Sequence, residues 1–151
     1  LLLETFQAGL SWITILKKRE NFRIAFDEFD YEKIANYSDK KLEVLRQDVG
    51  IIRNRLKIKA AKTNAIAFMK VQKEFSRFSK YLWGFVDDKP IQNKFKSMKE
   101  LPANTPLANK ISADLKKRGF KFVGPTIVYA HMQAMGMVND HTIGCFRYKE
   151  V

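Results

Sequence analysis

The fold of this 151-residue chain is decided by the stretch Lys117-Arg-Gly-Phe-Lys-Phe-Val-Gly-Pro-Thr-Ile-Val-Tyr-Ala-His-Met-Gln-Ala-Met-Gly-Met-Val-Asn-Asp-His141. It predicts the end of one helix, a short turn, a buried helix and a polar segment that follows this helix. Gly119 suits the position just past a helix C-terminus, where glycine is favoured because the backbone turns left-handed. Gly124 frees the backbone before Pro125, which suits the first position of a new helix. The stretch therefore predicts two helices joined by a hairpin.

This hairpin combines features that bind anions. The amides at the start of a helix attract negative charge, and four cations surround them in the sequence: Lys116, Lys117, Arg118 and Lys121. A helix–hairpin–helix that binds a DNA phosphate has this construction. The alternative is an ordinary solvated basic surface.

The charge of the whole chain also indicates a negatively charged partner. It carries 28 Lys and Arg against 16 Asp and Glu, a formal net charge of +12. This excess favours a polyanionic partner, with nucleic acid ahead of a membrane surface, although a basic protein without such a partner is the alternative. A single cysteine excludes an internal disulfide and favours a reducing compartment. Because no apolar run approaches a membrane span and no signal peptide is visible, we expect a cytoplasmic protein that contacts no membrane.

The rest of the chain predicts one all-α domain over residues 1–151. Ser11, Asp30 and Ser38 are expected helix N-caps, and Thr105-Pro106 begins a later helix. A helix from Ser11 to about Phe26 would bury Ile13, Leu16 and Ile24. A long basic helix after Gly50 would bury Leu56, Ala60, Ala67 and Val71. No period-two strand pattern stands out. The chain opens without Met or a capping residue, so we expect that an N-terminal segment is absent.

Glu4 is the first candidate site residue, because it lies among apolar residues near Phe6 and Trp12. A carboxylate there is costly unless it has a partner or a function. The functional interpretation is a carboxylate at the floor of an aromatic pocket, with Trp12 and Phe6 stacking on a flat ligand. The alternatives are a surface glutamate and two core aromatic residues.

His141 and Cys145 are a candidate metal pair, since residues four apart on a helix share a face. Two ligands do not complete a structural zinc site, which takes four, so a chance pair is the alternative. Other chemistry is excluded by the absence of a Walker loop, a GxGxxG motif and a serine nucleophile elbow.

Several blocks of the sequence resemble one family, DNA-3-methyladenine glycosylase I (Tag). They occur in order along nearly the whole chain: Glu4-Thr-Phe-Gln-Ala-Gly-Leu-Ser-Trp through Arg23, Gly50-Ile-Ile-Arg-Asn-Arg55, Leu115 to Gly124, and Val138-Asn-Asp-His141 with Cys145. The resemblance implies an all-α helix–hairpin–helix DNA glycosylase fold. It also implies a monofunctional enzyme of base excision repair that removes 3-methyladenine from double-stranded alkylated DNA.

The resemblance also assigns roles to residues. Glu4 matches the family's base-recognising glutamate, Trp12 its stacking tryptophan, and Phe6 a residue of the same pocket. Gly9 and Leu10 match the loop that wedges into the duplex, and the hairpin corresponds to Lys121, Phe122, Val123, Gly124 and Thr126. His141 and Cys145 match two of four ligands of a structural zinc. The other two ligands, and further pocket aromatics, belong to the family's N-terminal segment.

Two positions bear on the type of reaction. Thr126 stands where bifunctional relatives carry a Schiff-base lysine, so we expect no lyase step. Asn139 stands where other helix–hairpin–helix glycosylases carry a catalytic aspartate, with Asp140 one position later. The alternatives are a non-catalytic DNA-binding module and a glycosylase for another lesion. No feature indicates oligomerisation, and we expect a monomer.

Overall fold

A computed structural model describes all 151 residues and confirms the all-α prediction. Nine α-helices follow one another, with four short 3₁₀ turns outside them: α1 (Leu2–Gln7), α2 (Trp12–Lys17), α3 (Arg19–Ala25), α4 (Tyr31–Ala35), α5 (Asp39–Gln47), α6 (Arg55–Phe75), α7 (Phe78–Trp83), α8 (Pro106–Lys117) and α9 (Pro125–Ala134). Two residue pairs, β1 (Ile91–Gln92) and β2 (Val138–Asn139), form a small parallel sheet. The sequence did not predict this sheet, because two-residue strands carry no period. No helix is both long and apolar enough to cross a membrane.

The predicted N-caps are confirmed. The side chains of Ser11, Asp30, Ser38 and Thr105 accept backbone amides in the first turns of α2, α4, α5 and α8. These caps are local features, since each satisfies an amide two or three residues away that has no partner within the helix. Pro106 and Pro125 each occupy the first turn of a helix, as predicted.

The predicted helix from Ser11 to Phe26 is wrong in two respects. The chain breaks at Lys18 into α2 and α3, and the side that faces inward is not the predicted one. Ile13, Leu16 and Ile24, expected in the core, are exposed, and the buried residues are instead Ile15, Phe22, Ala25 and Phe26.

The apolar residues form two clusters on either side of the longest helix. One cluster of 13 residues belongs to α1–α5 and the first half of α6, and the other, of 16 residues, to the second half of α6, α7, α8 and α9. Helix α6 has 21 residues and contributes to both. Ala60, Ala67 and Val71 face inward as predicted, but Leu56 is 67% exposed. Lys57 is buried as well, although its side chain is charged.

Candidate functional site

Glu4 is buried where the two clusters meet. It lies in the first turn of α1, packed against α9, and only 7% of the residue is exposed. One carboxylate oxygen, Oε2, lies 3.1 Å from Nδ1 of His131 on α9. A buried carboxylate needs compensation of this kind, because isolated charges are poorly tolerated away from water. The surface alternative for Glu4 is therefore wrong.

The surroundings of Glu4 keep it ionised. Burial by itself raises the pKa of a carboxyl group, but the contact with His131 acts in the opposite direction. The pKa of Glu4 is lowered from 4.5 to about 2. The site thus holds a fixed negative charge throughout the physiological pH range.

A cleft of about 290 Å³ opens beside this carboxylate. It is lined by Glu4, Gln7 and Trp12 on one side and by Ala130, Gln133 and Ala134 of α9 on the other. Trp12 is 38% exposed, so part of its ring is available to a ligand. The size is near the lower limit of small-molecule sites, roughly 300 Å³. An apolar groove with Leu2, Leu3 and Leu16 continues on the far side of the same two residues, Glu4 and Trp12.

Phe6 does not line this cleft, and that part of the predicted pocket is corrected. Its ring is fully buried and packs edge-on against Phe22 and Phe26 in the N-terminal cluster. The reason is helical geometry, since residues two apart on a helix point about 200° away from each other. If Glu4 faces the cleft, Phe6 must face the core behind it.

The turn after α1 exposes the two residues that match the wedge. Gly9 adopts φ +76°, a conformation that glycine reaches without strain, and Leu10 is substantially exposed. This turn is tied down by Lys57, whose ammonium group donates to the carbonyl oxygens of Phe6 at 2.8 Å and Ala8 at 2.5 Å. Burial lowers the pKa of Lys57. The sequence did not predict that Lys57 holds this turn, because the contact spans 49 residues or more.

The hairpin between α8 and α9 forms as predicted. Gly119 has φ +96°, and Gly124 is the N-cap of α9. The side chain of Asn64 on α6 holds the turn by accepting the amide of Lys121 at 2.7 Å and donating to its carbonyl at 3.0 Å. The hydroxyl of Ser112 donates to the carbonyl of Val123 at 2.6 Å. The hairpin backbone is therefore fixed before any ligand arrives.

The side chains of the hairpin divide into two groups. Val123 is fully buried and can offer a ligand only its backbone, whereas Lys121 and Thr126 are exposed and Phe122 and Gly124 are partly so. Nothing lies within 4 Å of the position that a Cβ atom would take at Gly124. The start of α9 is thus open to an approaching anion.

Arg118 is not one of the free cations around the hairpin, although the sequence predicted it there. Its guanidinium group donates to Glu74 at 2.7 Å and to Asp114 at 2.7 Å, and it lies over the rings of Phe75 and Tyr81. These partners commit it to the fold. The three exposed lysines that remain near the hairpin, Lys116, Lys117 and Lys121, have no ion-pair partner.

His141 and Cys145 approach each other, although not on a helix as the spacing suggested. A turn at Thr142 brings Nδ1 of His141 to 3.8 Å from Sγ of Cys145. Tetrahedral zinc with bonds of about 2.0 and 2.3 Å would separate such ligands by roughly 3.6 Å. The pair therefore fits half of a zinc site, and no third His, Cys, Asp or Glu joins it.

Asn139 has a structural role. It is buried, and its amide donates to Gln92 and to the carbonyl groups of Tyr148 and Val151. Asp140 accepts hydrogen bonds from Asn93 and Gln133. Asn139 thus supplies neither an acid nor a base. Glu4 is the buried carboxylate at the cleft.

A separate cavity of about 160 Å³ lies between α1, α4 and α6. Its lining is almost entirely apolar and includes Leu2, Ile34, Ala65 and Phe68. Its three polar side chains are those of Thr5, Tyr31 and Asn64. It contains no charged group and cannot favour a cationic ligand. The cleft of Glu4 and Trp12 is the better candidate site.

Comparison with known proteins gives consistent matches along the chain. A family model described as methyladenine glycosylase matches residues 1–148. The DNA-3-methyladenine glycosylase 1 of Escherichia coli strain K12 is 48% identical over 146 residues, which cover 97% of this chain and 78% of that protein. The DNA-3-methyladenine glycosylase of Haemophilus influenzae is 46% identical over 143 residues, covering 95% and 77%.

Solved structures share the architecture. A crystal structure of 3-methyladenine DNA glycosylase I superposes with a TM-score of 0.92 at 48% identity, covering 96% of this chain and 80% of that chain. The 3-methyladenine DNA glycosylase I of Staphylococcus aureus, studied for its recognition of 3-methyladenine, superposes with a TM-score of 0.93 at 34% identity, covering 96% and 77%.

Proposed function

This chain belongs to the methyladenine glycosylase family, and we propose that it excises 3-methyladenine from alkylated DNA by drawing the base into the cleft of Glu4 and Trp12. The family and the enzyme class predicted from the sequence are confirmed. The observation that carries the proposed site is the buried, ionised carboxylate of Glu4 at the floor of a cleft that Trp12 also lines.

The chemistry of the lesion suits this cleft. Methylation at N3 makes the adenine ring cationic and weakens its bond to the sugar. A negative charge in a site largely closed to water stabilises that cation more than neutral adenine, and an aromatic face adds a cation–π attraction. Glu4 and Trp12 together would therefore both bind the damaged base and discriminate against the normal one.

The reaction needs little acid catalysis. Water attacks C1′ of the sugar, the bond from C1′ to N9 breaks, and its electron pair passes to the ring and cancels the positive charge. The water's proton is released to solvent, so free 3-methyladenine and an abasic sugar result. Because the leaving group departs neutral, it needs no proton from an acid, and Glu4 contributes by holding the cationic base in the cleft and by accepting hydrogen bonds from its edge. The exposed Thr126 offers no amine for a Schiff base, which agrees with hydrolysis alone.

Base flipping requires a hold on the duplex, since unstacking costs a few kcal/mol. In this proposal the hairpin from Lys121 to Thr126 binds a phosphate through the amides at the start of α9. The exposed Leu10, on the Gly9 turn, occupies the space that the base leaves. The enzyme would act as a monomer on double-stranded DNA in the bacterial cytoplasm.

The variant Glu4→Gln tests the site, because it keeps the volume of the side chain and removes the charge. We expect weaker binding of free 3-methyladenine by calorimetry and slower excision from alkylated DNA, with the affinity for undamaged DNA unchanged. The exposed Glu32, changed to Gln, is the matched control. If Glu4→Gln binds and excises the base as well as the parent, the pocket lies elsewhere. Binding of undamaged DNA with no release of base by the parent would favour a non-catalytic module.

We also propose that His141 and Cys145 are two of four ligands of a structural zinc. The support is their 3.8 Å separation and the resemblance, which places a Cys and a His before the position of Leu1 in the family. Zinc would cross-link the C-terminal loop to those residues and take no part in the reaction. The chain of 151 residues should bind zinc weakly in competition with a chelator, whereas a longer chain with both upstream ligands should hold about one zinc. Cys145→Ser should abolish that binding, and unchanged affinity in this variant would refute the assignment.

A further inference from the structure

His131 is a buried polar residue that the proposed mechanism does not yet use. It lies on α9 with 8% of its surface exposed, and its Nδ1 atom faces Oε2 of Glu4 at 3.1 Å. These two atoms are both buried, and neither is aligned as a hydrogen bond with any group. Two buried polar atoms without aligned partners are costly, and here they face each other.

The two oxygens of Glu4 have different surroundings. Oε2 is enclosed beside His131, whereas Oε1 is not among the buried atoms and receives no protein hydrogen bond, although the residue lines the cleft. A carboxylate that is held by one oxygen presents the other in a fixed direction. A group that fixes Oε2 therefore decides where Oε1 points.

Helix α9 connects this contact to the hairpin. Gly124 is the N-cap of α9, and His131 follows seven residues later, which is about two turns and 10 Å along the same side. The hairpin end of α9 is held by Asn64 and Ser112, as described above. One rigid helix thus carries the phosphate-binding end and the partner of the base-recognising carboxylate.

We propose that His131 is a positioning residue for base recognition: its Nδ1–H holds Oε2 of Glu4, so that Oε1 faces the cationic base. The inference rests on the proposed role of Glu4. The hydrogen bond tightens when the base occupies the cleft, as alignments at binding sites commonly do. Because α9 also begins at the hairpin, the carboxylate is kept in register with the bound phosphate.

Two variants of His131 separate a positioning role from a packing role. His131→Phe keeps the ring volume and removes the donor, whereas His131→Asn places an amide N–H close to the position of Nδ1 and leaves a smaller side chain. We expect His131→Phe to weaken binding of free 3-methyladenine by about tenfold or more, as loss of a hydrogen bond to a charged group implies. His131→Asn should recover most of that loss. Excision at saturating DNA should slow in His131→Phe, while the KM and the affinity for undamaged DNA stay near the parent values.

A double variant distinguishes failure of this inference from failure of the proposed site. Glu4→Gln with His131→Phe should bind the base no more weakly than Glu4→Gln alone, since His131 acts only through Glu4. Additive losses, or His131→Phe with parental binding, would overturn the inference and leave Glu4 in place. Parental binding in Glu4→Gln would overturn the proposed site itself. If His131 matters only for packing, His131→Phe should bind the base better than His131→Asn. That result would also refute the positioning role.

Discussion

In the proposed site, Glu4 would combine recognition and stability in one carboxylate. Its partner His131 lies on α9, and the surroundings of the carboxylate favour its charged form in spite of burial. A carboxyl group whose pKa is lower in the folded state than in the unfolded state stabilises the fold when it is ionised. The same contacts that prepare Glu4 for a cationic base therefore also stabilise the folded chain.

This stabilisation should depend on pH in a defined range. With a pKa lowered from 4.5 to about 2, Glu4 stabilises the fold fully above pH 4.5, and this contribution is lost as the pH falls towards 2. The full effect is on the order of 3 kcal/mol. As the pH is lowered over this range, we expect the free energy of unfolding, measured with urea, to decrease less in Glu4→Gln than in the parent. Glu32→Gln is the control, and its stability should depend on pH as that of the parent does. If the free energy of unfolding of Glu4→Gln decreases with acid as steeply as that of the parent, the prediction is wrong.

Individual site residues could be predicted where a local pattern identified them. Glu4 and Trp12 stood out as a charge and an aromatic ring in an apolar stretch, and both line the cleft. Phe6 was misplaced because proximity in sequence was taken for proximity at the site. His131 was not singled out because its importance depends on a contact with a helix more than 120 residues away.

At the scale of elements, local chemistry was the better guide. Caps, prolines at helix starts and the glycine of the hairpin were predicted correctly, because each depends on amides a few residues away. Faces of helices were predicted less well. The helices α2 and α3 bury the face of Ile15 and Phe22 instead of the face that was expected, and the burial of Lys57 arises from carbonyl groups at the end of α1. Neither event has a local signal.

The hairpin provides a prediction about one element. Gly124 has φ −61° and free space around it, so Gly124→Val should fold, at a cost of about 1 kcal/mol for a poor N-cap. The new side chain would stand between the amides of α9 and a phosphate, so the affinity for DNA should fall by much more than stability does. Gly84→Val is the matched control, because Gly84 also has helical φ and free space but lies outside the hairpin. Equal DNA affinity for the two variants would remove the hairpin from the interface.

At the scale of the whole molecule, the net charge of +12 gives the final prediction. Each phosphate neutralised by a cation releases counterions, so log affinity should fall linearly with log salt concentration, on the order of 100-fold between 50 and 200 mM for four contacts. Lys121→Gln at the hairpin should reduce the slope by about one. Lys40→Gln, an exposed change on α5, is the control. An affinity that does not respond to salt would contradict phosphate binding.

Helix α6 has a consequence for how the molecule comes apart. Because its two halves are built into different apolar clusters, neither cluster can lose α6 without exposing the other. The amides in the middle of α6, around Asn64 and Ala65, should therefore exchange with deuterium only when the entire chain unfolds. The cleft and the hairpin, which are both built on α9, would then unfold in one transition, and a partly unfolded chain that still binds DNA would not accumulate.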